Sequence, residues 1–450
     1  MDKHVGAIAE FACALRFEDL PSVVVQHCKR CMIDTVGVAL GGYQEEPCRI
    51  ARDLAARADV SSGARIIGSA RRTLPELAAF ANGVMIRYLD SNDCFPGRGG
   101  HPSDAIPAVL AMADVHCADG RAIITAMTLA YEIHYNLWKT GRVFDNGIDH
   151  VFYTTLAGAV GAAKVMGLGR KGMEEAISLA VAPNIALAAT RYGELSMWKG
   201  LAGGNAVRNG VFAAELAASG VSGPEKPLEG EHGLEKLISG LELLPFPGQG
   251  GSYGIERITL KSYPVAAPSL APVTVAIPLS RQVAFRDIEK VTVFTYWAAW
   301  EINGREPEKW RPTTREAADH SLPYIVAAIL IDGGFSEEMF SEERLADQRI
   351  RTLIDKVEVK EDPELTRRFP ECMPCRIEIR MRNGEVREGS TDYPRGHDRN
   401  PMSDDEISGK FREFARHALV PARLDQALDV LWQLDQLSGS APIFNALMVD

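Results

Sequence analysis

The spacing of apolar side chains predicts two kinds of structure along the chain. Up to about residue 258, apolar residues recur every three or four positions, as they do from Val23 to Val36, which is typical of helices. Residues 156–168 are rich in Ala and Gly and predict a buried central helix, because small side chains let helices approach closely. Further helices are expected at 23–40, 105–117, 173–181 and 205–218, with Ser103 as the N-cap of the second.

Beyond a glycine-rich stretch at 248–251, β-branched and aromatic residues predict strands. The strand-like segments are 255–260, 288–296, 353–359 and 377–386, and Asn383-Gly384 is a hairpin signal. Helices are expected at 269–279 and 320–331, and the chain is helical again from Ser403 onward. The pattern predicts a mainly α protein, with an all-helical domain from both chain ends (1–258 plus 403–450) and an inserted smaller α+β domain (259–402).

Composition narrows the class of protein. Of 450 residues, 46% are hydrophobic and 24% are charged, as in folded globular proteins, and the formal net charge is −11. An acidic surface disfavours nucleic acid, which needs clustered Lys and Arg, and it obliges an anionic substrate to find a local cationic pocket. The sequence begins without the apolar core of a secretory signal and holds no apolar run of about 20 residues, so we expect a cytoplasmic protein without membrane contact.

Motifs for cofactors are absent or out of context. The G-x-G-x-x-G string at 167–172 follows a helical pattern rather than a strand, and the G-x-S-x-G string at 250–254 precedes a strand rather than a helix. Two C-x-x-C pairs, Cys28/Cys31 and Cys372/Cys375, leave a metalloprotein open as an alternative. Their positions at opposite ends of the chain disfavour one shared site, so neither metal nor cofactor is expected.

Two polar clusters suggest acid–base chemistry. Asp90 lies in an acidic stretch that leads through a glycine-rich loop to His101, and a carboxylate beside an imidazole can move protons near neutral pH. The alternative is a surface loop. His150 stands just before the small-residue helix, where it is either an ordinary structural histidine or a second proton carrier.

Three further clusters suggest substrate binding or proton donation. Lys199, at the head of an Ala/Gly-rich helix, would face a carboxylate together with the helix N-terminus. Lys261 lies at the predicted domain boundary, and clefts between domains are favoured ligand sites. Tyr324 follows a dense polar stretch and could donate a proton, although a tyrosine that only fills space is the alternative.

Long segments of the chain resemble the MmgE/PrpD family. They are DTVGVALGG (34–42), IDHVFYTTLAGAVGAAKVMGLG (148–169), SMWKGLAGGNAVRNG (196–210), KWRPTTREAADHSLPY (309–324) and RGHDRNPMS (395–403). The resemblance implies that the inserted domain is a lid, that the active site lies between the domains, and that the protein is a homodimer without an obligatory metal. It also implies a lyase of the 2-methylcitrate or citrate dehydratase type, acting on a small polycarboxylic acid by α-proton abstraction. The alternatives are an epimerase or decarboxylase of a related acid, and a non-catalytic acid-binding relative.

The resemblance also suggests a role for each site residue. Asp90 and His101 match the family's D-x-D-D and H-P-S motifs, and His101 is expected to be the leading general base, oriented by Asp90. Lys199 and Lys261 are expected to bind substrate carboxylates. His150 or Tyr324 would return a proton.

The chain departs from the family pattern at several positions. Asn92 replaces a usual Asp, and Cys94 replaces a common Thr. Dehydratase and decarboxylase relatives carry a histidine shortly after the lysine that matches Lys261, whereas residues 262–269 contain none here.

Overall fold

The computed structural model of the chain describes residues 2–96, 99–141, 143–193, 195–238, 241–248 and 252–449. It is 58% helical and only 8% strand, which confirms the prediction of a mainly α protein. In this described part, the chain divides into two compact units. The first comprises Met1–Gly193, Met197–Ile258 and Ser403–Asp450, and the second comprises Thr259–Met402 with Glu194–Ser196. Residues 249–251, in the glycine-rich stretch where helices are predicted to give way to strands, lie outside the described residues.

The first unit is built from helices. They are α1 (Lys3–Ala14), α2 (Ser22–Gly41), α3 (Glu46–Ala55), α4 (Pro75–Tyr88), α5 (Ile106–His116), α6 (Gly120–Gly141), α7 (Val151–Val165), α8 (Arg170–Val181), α9 (Trp198–Ala218), α17 (Asp404–Ala415), α18 (Pro421–Trp432) and α19 (Ala441–Ala446). Two short antiparallel strands, β1 (Ala64–Arg65) and β2 (Arg72–Thr73), also belong to it. The end of α4 and the starts of α7 and α9 carry polar residues of one candidate site.

Small residues set the spacing of the central helices. Helix α7 is buried from Val151 to Ala163, as the Ala/Gly composition predicted. A Cβ on Gly210 of α9 would lie 2.6 Å from the Thr155 carbonyl oxygen of α7, and one on Gly204 would lie 2.8 Å from the Phe80 carbonyl oxygen of α4. Because these distances are too short for a real Cβ, α9 can pack this closely on both neighbours only with glycine at those positions.

The C-terminal helices pack into the same unit as the N-terminal ones. Helix α17 begins with a capping box, in which the Ser403 and Glu406 side chains each accept from the other's backbone N–H. From the same helix, Lys410 Nζ lies 2.6 Å from the Asp34 carboxylate of α2 and donates to the Ser91 carbonyl at 2.7 Å. A buried lysine from the C-terminal segment thereby holds the loop that follows α4.

The second unit combines a mixed sheet with helices. Its strands are β3 (Ile288–Thr295), β4 (Val357–Glu361), β5 (Cys375–Met381) and β6 (Val386–Thr391), in the order β4-β3-β5-β6. The β3–β4 pair is parallel and the other two pairs are antiparallel. The helices are α10 (Leu270–Ser280), α11 (Trp297–Asn303), α12 (Arg315–Ala318), α13 (Leu322–Asp332), α14 (Glu342–Leu345), α15 (Gln348–Ile354) and α16 (Pro363–Arg368). The predicted hairpin at Asn383-Gly384 is confirmed, since it joins β5 to β6.

Two local predictions are wrong. Residues 255–260 were expected as a strand, but Gly254–Arg257 forms a 3₁₀ turn, because the Gly254 N–H donates to Glu132 rather than to a neighbouring strand. Ser103 was expected as an N-cap, but it lies inside the 3₁₀ turn Pro102–Ala105, and its hydroxyl accepts from Asn92 Nδ2.

None of the helices in the described ranges combines the length and the apolar character that crossing a bilayer requires.

Candidate active site in the helical unit

A buried carboxylate forms the centre of the site. Helix α4 ends at Tyr88, and the next turn places Asp90 at φ 52°, a left-handed conformation that Asp tolerates better than most residues. Its Oδ1 lies 3.0 Å from Arg87 Nη1, and its Oδ2 lies 3.2 Å from Lys199 Nζ. His101 Nε2 is 3.8 Å from Oδ1. Asp90, His101 and Lys199 are therefore brought together, and all three are buried.

The loop between Asp90 and His101 fixes the protonation of the imidazole. His101 Nδ1 lies 2.6 Å from the Asp93 backbone carbonyl, which can only accept, so Nδ1 carries the hydrogen. In the neutral ring, Nε2 then keeps its lone pair, on the side of Asp90. The Asp93 carboxylate stabilises the loop, because it accepts hydrogen bonds from the Ser103 N–H at 3.0 Å and from the Tyr131 hydroxyl at 2.7 Å. Gly97 and Arg98 of this loop lie outside the described residues.

His150 stands at the N-cap position of α7, beside a second carboxylate. Its Nδ1 lies 3.0 Å from Asp149 Oδ1, and its ring centroid lies 5.7 Å from that of His101. Burial lowers the pKa of His150, against the opposing effect of Asp149. Burial opposes ionisation of Asp149 too, but the neighbouring His150 and Arg191 side chains lower the pKa of that carboxyl. His150 Nε2 has no hydrogen-bond partner within the described ranges.

Lys199 is the second residue of α9, and the glycines of that helix bring it against the site. A Cβ on Gly203 would lie 2.7 Å from Asp104 Oδ2, and one on Gly200 would lie 2.8 Å from the Tyr88 ring. The Lys199 carbonyl accepts from Arg191 Nη1 at 3.1 Å. The sequence predicted a helix-head lysine facing a carboxylate, and the carboxylate that Lys199 contacts in the structure is Asp90.

Further carboxyl groups lie behind Asp90. Burial raises the pKa of Asp104 to about 7 and that of Asp93 to about 6. Arg87 Nε lies 3.9 Å from Asp104 Oδ2, and Asn92 Nδ2 donates to Asp104 Oδ1 at 2.9 Å. Because Asn92 is an amide that donates at this position, it adds no further negative charge beside Asp104.

Lys261 and Tyr324 belong to the second unit. The Lys261 side chain is fully buried. The Tyr324 hydroxyl donates to the Met339 carbonyl in a hydrophobic cluster that includes Phe340, and burial raises its pKa further above the usual range. This geometry favours a packing role for Tyr324, because its proton is committed to a backbone carbonyl. The expected role of Lys261 stays a prediction.

The cysteines give little support to the metalloprotein alternative. Cys28 and Cys31 are buried along α2, and Cys28 Sγ lies 3.3 Å from the Thr128 hydroxyl. Burial raises the pKa of Cys28 to about 12, whereas zinc binds thiolates. Cys372 and Cys375 belong to the other unit.

The sequence analysis assigns no role to four charged residues of the site: Arg87, Asp104, Asp149 and Arg191. The ion pair between Arg87 and Asp90 could have been predicted, because residues three apart at a helix end lie on the same face. Asp104 and Arg191 act through partners far away in the sequence, and no local pattern announces such pairs.

Comparisons with known proteins agree with the resemblance. The model of the MmgE/PrpD N-terminal domain matches residues 6–245, and that of the MmgE/PrpD C-terminal domain matches residues 263–434. The 2-methylcitrate dehydratase of Cupriavidus necator is 28% identical over 449 residues, covering 92% of each chain. That of Salmonella typhimurium is 29% identical over 426 residues (88% of this chain, 86% of the relative). The human cis-aconitate decarboxylase is 26% identical over 457 residues (96% and 92%). The chain belongs to the MmgE/PrpD family.

Proposed function

We propose that this protein is a hydro-lyase that removes water from a small polycarboxylic acid of the 2-methylcitrate or citrate type. The observation that carries the proposal is the buried cluster around Asp90, where an ammonium, a guanidinium and an imidazole meet one carboxylate. Relatives named 2-methylcitrate dehydratase cover most of the chain and support the reaction class.

Lys199 is the proposed ligand of a substrate carboxylate. An ammonium has three N–H donors, so Lys199 can donate to more than one acceptor, Asp90 at 3.2 Å among them. The same charge stabilises the negative charge that builds on that carboxylate when the neighbouring C–H bond breaks. Lys261 is proposed as a second carboxylate ligand, on the strength of the family resemblance alone.

His101 is the proposed general base. Its Nε2 takes the α-proton, and the C–H electron pair becomes the new carbon–carbon π bond while the bond to the β-hydroxyl breaks. Asp90 then stabilises the imidazolium. The hydroxyl leaves as water with a proton from His150, which must first be protonated. Bound carboxylates favour that protonation, because negative charge raises a histidine pKa.

The test is turnover of 2-methylcitrate, citrate, cis-aconitate and iminodisuccinate, followed by NMR in deuterated water. We expect loss of water from a hydroxy acid, and deuterium beside a carboxylate in recovered substrate. Lys199→Gln should lower kcat/KM by about 10²- to 10³-fold, the usual effect of removing one stabilising donor. Lys171→Gln is the matched control, because Lys171 is the second residue of α8 as Lys199 is of α9, but it is exposed. If all four acids bind but exchange no proton, the proposal is wrong and the protein is an acid-binding relative.

One sequence observation favours an epimerase as the second candidate. Residues 262–269 contain no histidine where dehydratase and decarboxylase relatives carry one. Epimerisation removes a proton from a carbon and returns one to the same carbon, so it needs no acid for a departing hydroxyl. Deuterium incorporation with inversion and without loss of water would select this candidate. The homodimer and the cytoplasmic location also stay predictions, the first testable by sedimentation velocity.

A further inference from the structure

We propose that Asp149 and Arg191 are positioning residues that hold His150 as the proton donor of the reaction and tie it to the helix that carries Lys199. The inference rests on the proposed function and deepens it. Neither residue needs to touch the substrate.

The contacts form one continuous network of polar groups. Arg191 Nε donates to Asp149 Oδ2 at 3.0 Å, and Asp149 Oδ1 lies 3.0 Å from His150 Nδ1. The Asp149 Oδ1–His150 Nδ1 contact has an ion-pair distance without hydrogen-bond alignment. A carboxylate this close favours hydrogen on Nδ1, which leaves the lone pair of the neutral ring on Nε2. That Nε2 has no hydrogen-bond partner within the described ranges, and the His150 ring faces the ring of His101.

Arg191 links this polar network to Lys199. Its Nη1 donates to the Lys199 carbonyl at 3.1 Å, so one rigid guanidinium holds both the acid pair and the first turn of α9. The Arg191 side chain is 12% exposed, and the Asp149 side chain is fully buried. Because burying an ion pair is costly, the pair is better explained by the orientation it gives to His150 than by a gain in stability.

The charges around His150 set the sign of the test. Asp149 favours the imidazolium, whereas Arg191 and Arg87 disfavour it. The His101 ring lies 5.7 Å from the His150 ring, and His134 interacts with His150 electrostatically. Asp149→Asn removes the favourable charge and should move the basic limb of the kcat profile to lower pH. Arg191→Gln removes an unfavourable charge and should move that limb to higher pH, and Arg191→Lys should keep it near the wild-type position. A purely structural role predicts no such opposite shifts.

The experiment combines pH profiles with nitrogen NMR of ¹⁵N-histidine-labelled full-length protein, in which His150→Gln assigns the His150 signals. We expect the Nδ1–H tautomer in the wild type and a changed tautomer population in Asp149→Asn. The same variant should lose about 10²- to 10⁴-fold in kcat, as second-partner and triad carboxylates do elsewhere. Asp145→Asn, the same change at an exposed site on the same segment, is the matched control.

The outcomes separate the two proposals. Wild-type kcat and an unmoved basic limb in Asp149→Asn overturn the positioning role even if the enzyme dehydrates its substrate. An Nε2–H tautomer in the wild type overturns it as well. No turnover of any of the four acids, together with the Nδ1–H tautomer and its change in Asp149→Asn, instead defeats the proposed function and leaves the geometry of His150 standing.

Discussion

Replacing Gly100 by alanine should displace His150 without adding or removing a polar group. Gly100 has φ +72°, and a Cβ there would lie 2.6 Å from His150 Cδ2. Ordinary contact begins at 3.4 Å, so the ring or the loop must give way by 3.4 − 2.6 = 0.8 Å. A misplacement of about 1 Å can cost about 10²-fold in rate, so we expect kcat to fall by roughly that factor.

A second glycine separates this displacement from backbone strain. Gly147 has φ +77°, but a Cβ there meets no described atom within 4 Å. Placing an L-residue in the left-handed region costs about 1–2 kcal/mol, so both alanine variants should lose that much stability. Only Gly100→Ala should also lose rate.

Urea unfolding and the NMR turnover assay measure the two effects independently. The reasoning fails if Gly100→Ala and Gly147→Ala lose stability equally and keep the same kcat. In that case the position of the His150 ring has no bearing on turnover.

Three further predictions concern other parts of the molecule. The pKa of Asp104 is about 7, and a bound anion raises it, so citrate binding at pH 7 should be accompanied by proton uptake. Calorimetry in buffers of different ionisation enthalpy measures this uptake. A binding enthalpy that does not depend on the buffer would contradict the prediction. Lys410→Met should lower the free energy of unfolding, measured in urea, by about 3–5 kcal/mol, because it removes the cation beside the buried Asp34. The double variant Lys410→Met/Asp34→Asn should recover part of that loss. Tyr324→Phe should lower the free energy of unfolding by about 1–3 kcal/mol, because the Met339 carbonyl loses its hydrogen-bond donor, and kcat should not change. A large loss of kcat would instead support Tyr324 as a catalytic acid.

The elements that the sequence predicted well are those whose burial is one-sided or complete over many residues. Helix α2 was expected over 23–40 and spans Ser22–Gly41, and β3 was expected over 288–296 and spans Ile288–Thr295. The apolar period decides these cases, because no single tertiary contact can overrule it. The failures at 255–260 and Ser103 are short segments whose backbone is set by one partner from elsewhere in the chain, Glu132 in the first case.

The candidate site shows the same division. Asp90, His101, His150 and Lys199 were readable from motifs that resemble the family, and the structure gathers them in one unit. What the motifs could not show is which ring nitrogen carries hydrogen, because that depends on the Asp93 carbonyl and on Asp149. Protonation is a property of neighbours in space, so it becomes readable only when the fold is known.

The charges of the site explain why protons must accompany a polyanionic substrate. Beside the histidines, the described cluster holds three cations, Arg87, Lys199 and Arg191, and four carboxyl groups, Asp90, Asp93, Asp104 and Asp149. A cluster in which carboxyl groups outnumber cations, in a chain of net charge −11, offers no surplus positive charge to a tricarboxylate. Protonation of Asp104 or of His150 adds the missing positive charge, and the proton on His150 is the one that a departing hydroxyl requires. Substrate affinity should therefore weaken as pH rises through about 7, where Asp104 loses its proton.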